Sequence, residues 1–121
     1  NRAYNDRSGV TADFNINLLS RIRSEMDCDI NPDIFSHSAF YNPALNRIEM
    51  HLKAEHEHSF DLAGHKINLR QNETIHTENS YKYNLDMISE LLAKSGYDLI
   101  QQWQDKNGYF ALLYLKAKKT I

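Results

Sequence analysis

The residues best suited to chemistry lie in Asn72-Glu73-Thr74-Ile75-His76-Thr77-Glu78-Asn79-Ser80-Tyr81-Lys82-Tyr83, where the pattern Glu78-x-Ser80-x-Lys82-Tyr83 stands out. In an extended backbone, side chains two apart share a face. This predicts Glu78, Ser80 and Lys82 on one side and Thr77, Asn79 and Tyr81 on the other. An ionised Glu only accepts hydrogen bonds, whereas Ser both donates and accepts, so the pair suits two polar atoms of one small ligand such as an imidazole or an amine. The same spacing also fits a surface strand on which Glu78 and Lys82 form an exposed ion pair worth about 0 to 1 kcal/mol.

The other reactive residue types give weaker patterns. Of the six histidines (His37, His51, His56, His58, His65 and His76), His56 and His58 would share a strand face, but no Cys partner or His-Glu-x-x-His helix completes a metal set. A solvated, charged hairpin around residues 54–59 is expected there, and no metal ligand is assigned. The single Cys28 cannot form an internal disulfide. With no flanking His or Gly-rich turn it reads as a structural or surface thiol, in keeping with a reducing cytoplasm.

Several elements must position these groups. Residues 1–9 are polar and read as a loop leading into a helix, along which Val10, Phe14, Leu18, Ile22 and Met26 recur every fourth residue with Leu19 beside them, as one apolar stripe. Asn31-Pro32 ends the helix, since Pro disfavours helical geometry in the residue before it. A helical turn over 32–36 is followed by short strands at 38–41, 47–53, 59–62 and 66–69, broken by the turn formers Asn42-Pro43 and Ala63-Gly64. In the second strand Arg47, Glu49, His51 and Lys53 alternate with Ile48, Met50, Leu52 and Ala54, which exposes the first set and turns Met50 inward. From residue 84 the period is helical, with Leu85, Ile88, Leu91 and Leu92 on one side, Asn84 as N-cap, Asp86 near the positive end and Gly96 as the stop. Residues 97–103 and 109–115 then read as strands joined by a turn at Asp105-Lys106-Asn107-Gly108, ahead of a basic tail over 116–121. The last strand is apolar on both faces, as in sheets covered by helices on both sides, yet only two good helices are present.

With 14 Lys and Arg against 16 Asp and Glu, the net charge of −2 leaves no basic footprint for nucleic acid. At 41% hydrophobic and 25% charged residues, the composition is that of a folded globular chain. No apolar run approaches the roughly 18 to 20 residues of a membrane span, and no signal-peptide pattern opens the chain. Starting at Asn1 without Met, the sequence is expected to be a piece of a longer protein. Its four glycines, Gly9, Gly64, Gly96 and Gly108, are single and widely spaced, so no Gly-rich cofactor turn is visible.

Four blocks in order resemble the histidine-specific N-methyltransferase family, whose members include the S-adenosylmethionine-dependent L-histidine Nα-methyltransferases of ergothioneine biosynthesis. They are Tyr4-Asn5-Asp6-x-x-Gly9-Val10-Thr11-Ala12-x-Phe14-Asn15-x-Asn17, Ile48-Glu49-Met50-x-Leu52, Glu78-x-Ser80-x-Lys82-Tyr83, and Trp103-x-Asp105-x-x-Gly108-x-Phe110-Ala111-Leu112. The resemblance covers nearly the whole chain but only the C-terminal part of such an enzyme. It implies an α+β fragment: a substrate-recognition subdomain over 1–83, made of a helix and a small mostly antiparallel sheet, then at 84–121 the closing helix and β-hairpin of a class I (Rossmann-like) methyltransferase sheet. It further implies that Glu78 and Ser80 hold the imidazole of L-histidine, that Met50 lines the pocket and that Tyr4 anchors the amino-acid end. S-adenosylmethionine would be bound by an N-terminal domain absent from this chain, and methyl transfer would depend mainly on positioning the neutral amine. No acid, base or metal is assigned. Asn72 stands where the family usually has Gly, which Asn tolerates in left-handed geometry, and related members act on other amino acids, including tryptophan derivatives. From the residues alone, Tyr4 is equally a packing residue and Met50 plain core filling. A non-catalytic ligand-binding or interaction module, or a chain completing another subunit's sheet, also remains open. The isolated chain, with its apolar last strand unpaired on one edge, is expected to dimerise.

Overall fold

The computed structural model describes residues 4–119, and the chain divides into two compact units, Asn1–Lys82 and Tyr83–Ile121. Both are built from helix and antiparallel sheet, an α+β architecture.

The first unit begins with helix α1, Val10–Glu25. Gly9 precedes it at φ +72°, a left-handed turn that favours glycine. The Asp6 carboxylate caps the helix by accepting from the amides of Val10 (3.2 Å) and Thr11 (3.3 Å), two of the amides that a helix start leaves without internal partners. Hydrogen bonds from the Ser8 hydroxyl first, then from the Thr11 amide, hold this carboxyl at a pKa of about 2. The inward face of α1 differs from the expected stripe. Val10, Phe14, Leu18 and Met26 are exposed within the unit, while Asn15 and Leu19 are buried with Ile16 partly buried beside them. Steps of four residues overshoot the 3.6-residue turn, so five such positions drift by about 160° around the helix and cannot all face one core.

A 3-10 turn at Pro32–Ile34 leads into β1 (Phe35–Asn42), β2 (Arg47–Ala54), β3 (His58–Leu62), β4 (His65–Leu69) and β5 (Thr74–Tyr81). Strands β1, β2 and β5 form an antiparallel sheet in the order β1-β2-β5, and β3 pairs with β4 as a separate hairpin. The β3–β4 connection is the two-residue turn Ala63-Gly64, both at positive φ (48° and 80°), the geometry that matches strand twist in tight hairpins. Asn72 sits at φ +70°, as expected for Asn in place of Gly. Leu19, Ile30, Phe35, Leu52, Ala54 and Phe60 form the core between α1, the sheet and the small hairpin. Cys28 packs at its margin, bridged to Leu62. The expected solvated hairpin around 54–59 is corrected in part. His56 is exposed and outside any strand, but His58 stacks on Phe60 (5.5 Å between centroids), meets Phe35 edge-on and accepts the Asn31 amide. A flat apolar ring fills core space as well as it reaches water.

The second unit holds helix α2 (Leu85–Ser95) and the hairpin β6 (Tyr97–Gln104) and β7 (Ala111–Ala117). The Asn84 side chain accepts from the Met87 amide (2.9 Å) and Gly96 closes the helix at φ +74°, as the sequence implies. Strand β7 starts two residues later than expected. Gly108 is at φ +69°, and the Asp105 carboxylate accepts the amides of Asn107 (3.0 Å) and Phe110 (2.8 Å), so the loop closes beyond Tyr109. Leu112 and Tyr114 are exposed on one face of β7 while Leu113 and Leu115 are half-buried on the other. Of the basic tail, residues 120–121 lie outside the described residues, as do residues 1–3 of the opening loop.

Candidate functional site

The site lies on the face of the β1-β2-β5 sheet that α1 covers. Ile48, Met50, Leu52 and Ala54 alternate inward along β2 and are buried. Their partners on β5 are Ser80 opposite Ile48, Glu78 opposite Met50 and Ile75 opposite Leu52, and cross-strand partners share a face. Ile75 and Glu78 can both point inward only because the register shifts between Met50 and His51, leaving Thr77 as an extra residue. This bulge re-aims the strand. Strict alternation from Ile75 would have sent Glu78 and Ser80 to the opposite face.

Thr77 therefore corrects the expected pattern. Instead of facing away from Glu78, it lies on the helix side, where its hydroxyl donates to Asn15 Oδ1 (2.7 Å) and to the Met50 carbonyl (3.0 Å). Asn15, only 3% exposed, completes the network by donating from Nδ2 to His37 Nδ1 (2.9 Å) and to the His51 carbonyl (3.2 Å). Because the amide nitrogen can only donate, His37 carries its proton on Nε2, which donates to the Tyr4 carbonyl (2.7 Å). Asn5 Nδ2 donates to the Ala39 carbonyl (2.9 Å), so β1 holds the segment bearing Tyr4 at two points. A polar network centred on a buried Asn, with its partners partly buried around it, fixes one geometry.

Tyr4 is thereby brought over the end of β5. Its hydroxyl lies 2.6 Å from Ser80 Oγ, and Lys82 Nζ donates to both, at 2.8 Å and 2.9 Å. The Lys82 hydrogen bond, then that of Ser80, lower the Tyr4 pKa, while the charge of Glu78 opposes them, which sets Glu78 within electrostatic reach of the ring. Lys82 also lies 4.8 Å from the centre of the Tyr4 ring, a cation–π contact. A cavity of about 250 Å3 is lined by Tyr4, Val10, Thr11, Phe14, Met50 and Glu78. A second, of about 230 Å3, shares Phe14 and Glu78 with it and runs along α1 past Asn15, Leu18 and Arg21. Glu78 is exposed and lines both cavities as well as a wider depression with His76, Thr77 and Asn79, and among the described residues its carboxylate has no hydrogen-bond or ion-pair partner. The weak Glu78–Lys82 pair allowed by the spacing does not form. All four residues singled out from the sequence, Tyr4, Met50, Glu78 and Ser80, meet in this one place. Asn15, His37 and Thr77, which position them, were missed. An Asn on the inward side of an otherwise apolar helix face was the available signal.

The opposite sheet face is less solvated than the alternation implies. Glu49 is 6% exposed, accepting from Arg47 (2.8 Å), His51 (3.0 Å) and Asn42 (3.0 Å). Those bonds, His51 first and then Arg47, hold its carboxyl at a pKa of about 2. His51 is stacked between Phe40 and His76, at 5.1 and 4.3 Å. Glu49, His51 and His76 place ligand-type atoms within 4.8 Å of one another, a group the spacing did not single out. The two imidazole planes are stacked only 12° from parallel, so their in-plane lone pairs do not converge on a shared ion. The four glycines stand singly at turns and helix ends, all at positive φ, and form no Gly-rich strand-to-helix turn of the nucleotide-binding type.

A family model described as "Histidine-specific methyltransferase, SAM-dependent" matches residues 1–117. The Histidine N-alpha-methyltransferase of Mycobacterium tuberculosis (strain CDC 1551 / Oshkosh) is 37% identical over 116 residues, covering 92% of this chain and 35% of the relative. That of Mycolicibacterium smegmatis (strain ATCC 700084 / mc(2)155) is 34% identical over 113 residues, with the same two shares. The chain therefore spans about a third of the length of the curated relatives it matches.

Proposed function

Because this chain belongs to the histidine-specific, SAM-dependent methyltransferase family, we propose that it is the acceptor-binding part of an enzyme that methylates the α-amino group of L-histidine. The carrying observation is the unpartnered Glu78 carboxylate facing a small cavity floored by Met50, beside the bonded Tyr4 and Ser80 hydroxyls. Glu78 takes an imidazole N–H, Ser80 serves the other ring nitrogen, and Met50 packs against the ring. The resemblance gives Tyr4 the amino-acid end. In this chain its hydroxyl is at hydrogen-bond distance from Ser80, so Tyr4 is kept as a ligand contact without an assigned end.

S-adenosylmethionine belongs, in this reading, to a different segment of the whole protein, which is supported by the single, widely spaced glycines of this chain. Residues 84–121 are the closing helix and hairpin of a class I methyltransferase sheet, a reading supported by the β7 run Ala111–Leu115, apolar on both faces. No described helix is long and apolar enough to cross a membrane, and the proposed setting is cytoplasmic ergothioneine biosynthesis. The test is to offer the full-length protein S-adenosylmethionine and a panel of amino acids, and to locate new methyl groups by mass spectrometry. Methylation at the α-nitrogen of histidine in preference to tryptophan is expected. Preference for another amino acid, or no transfer at all, overturns the proposal.

A further inference from the structure

We propose that Lys82 is a positioning residue that makes the site select the neutral imidazole over the imidazolium, by setting the hydrogen-bond polarity of the Tyr4–Ser80 hydroxyl pair. The inference rests on the reading of the ligand as a histidine held by Glu78 and Ser80.

Two hydroxyls bring two protons and four lone pairs, and an ammonium group only donates. Lys82 reaches both oxygens and fills one lone pair on each. With the phenol, the stronger acid, donating across the 2.6 Å contact, both lone pairs of Ser80 Oγ are filled, by Lys82 and by Tyr4, and the one lone pair left over lies on Tyr4. What Ser80 offers the ligand is its O–H alone. A neutral imidazole has one N–H and one bare nitrogen, so Glu78 accepts from the first and the spare O–H answers the second. An imidazolium presents N–H at both nitrogens, which sets donor against donor and brings a second positive charge beside Lys82. Without Lys82 the pair would keep three free lone pairs, and either ring form could be accommodated.

The titratable and charged groups around this position are few. Strand β5 contributes Glu78 and Lys82, and the segment ahead of α1 contributes Tyr4, with Asp6 engaged in capping the helix. Strand β1 contributes His37, which donates to the Tyr4 carbonyl. Strand β2 contributes the apolar Ile48 and Met50, its Arg47, Glu49 and His51 lying on the other face, and α1 contributes Val10, Thr11 and Phe14. Among the described residues no cation lines the Tyr4 and Met50 cavity itself; Lys82 acts from beside it through the two hydroxyls, and Arg21 of α1 lines the neighbouring cavity that shares Glu78.

The experiment binds ring-15N histidine to the full-length protein and follows the ring nitrogens by NMR across pH, for the wild type, Lys82→Met and Lys82→Arg. In the wild type the bound ring is expected to stay neutral about one pH unit or more below the pKa of free histidine, with affinity falling about tenfold per unit below that pKa. In Lys82→Met the pKa of the bound ring should rise by about one unit or more and the affinity profile should flatten, and Lys82→Arg should restore the wild-type behaviour. An unchanged profile in Lys82→Met overturns the inference. So does loss of all binding in Lys82→Met that Lys82→Arg fails to restore, which would assign Lys82 a purely structural role. Failure of the wild type to bind histidine at any pH would instead sink the proposed function itself.

Discussion

Replacing Asn15 by Leu keeps the branched shape and the number of side-chain heavy atoms but removes the hub of the polar network. His37 Nδ1 and the His51 carbonyl lose their donor, and the Thr77 hydroxyl loses one of two acceptors. A polar group left unpaired in a buried site costs roughly 1 to 3 kcal/mol. His37 is partly exposed and Thr77 keeps the Met50 carbonyl, so the expected loss is about 2 to 4 kcal/mol. That is a large share of the roughly 5 to 15 kcal/mol available to a domain. With a urea slope of about 2 kcal/mol per M, the midpoint of unfolding by circular dichroism should fall by about 1 to 2 M. The loss should also be coupled to Thr77. In a double-mutant cycle, Asn15→Leu with Thr77→Val should cost less than the sum of the single changes, since the second removes a group the first has stranded. A midpoint shift below about 0.3 M, or strict additivity, would refute the reasoning.

Other outcomes follow from the same structure. Glu49 and Asp6 have carboxyl pKa values lowered to about 2, so their contribution to stability is full above the unfolded values near 4 and is lost as pH falls through 2. Acid unfolding followed by circular dichroism should therefore steepen between about pH 4 and 2, and Glu49→Gln should remove part of that dependence. An identical acid transition in the variant would count against it. The 121-residue chain should show no heat of binding with S-adenosylmethionine, and a one-to-one complex by calorimetry would contradict the glycine argument. Leu112 is exposed on β7, a strand paired only with β6 among the described residues, so the isolated chain should self-associate through this edge. Leu112→Lys should shift it toward monomer in analytical ultracentrifugation, and a monomeric unsubstituted chain at high concentration would sink this idea.

Local chemistry was the legible part of this protein. Asn84 and Gly96 bound α2 as their side-chain chemistry requires, and the turns at Asn42-Pro43 and Ala63-Gly64 separate strands near the expected limits. Glu78, Ser80 and Met50 did come to one face, but the reason was hidden. The bulge at Thr77 depends on pairing with β2, a tertiary property that no alternation along β5 alone reveals. The inward face of α1 was misjudged because the polar Asn15 is buried there while Phe14 is exposed, and apolar periodicity cannot register a polar residue satisfied by three partners. Glu49 was likewise expected in solvent, since nothing in its own strand shows that Asn42, Arg47 and His51 would close over it.

The central claim is that Glu78 recognises the acceptor, and isothermal calorimetry of histidine with the full-length protein and its Glu78→Ala variant tests it most directly. A hydrogen bond to a charged group is worth about 1.5 to 3 kcal/mol, so the variant should bind histidine about 10- to 150-fold more weakly. Its affinity for S-adenosylmethionine should be unchanged. Wild-type affinity for histidine in Glu78→Ala would contradict the account and return this strand to a plain surface role.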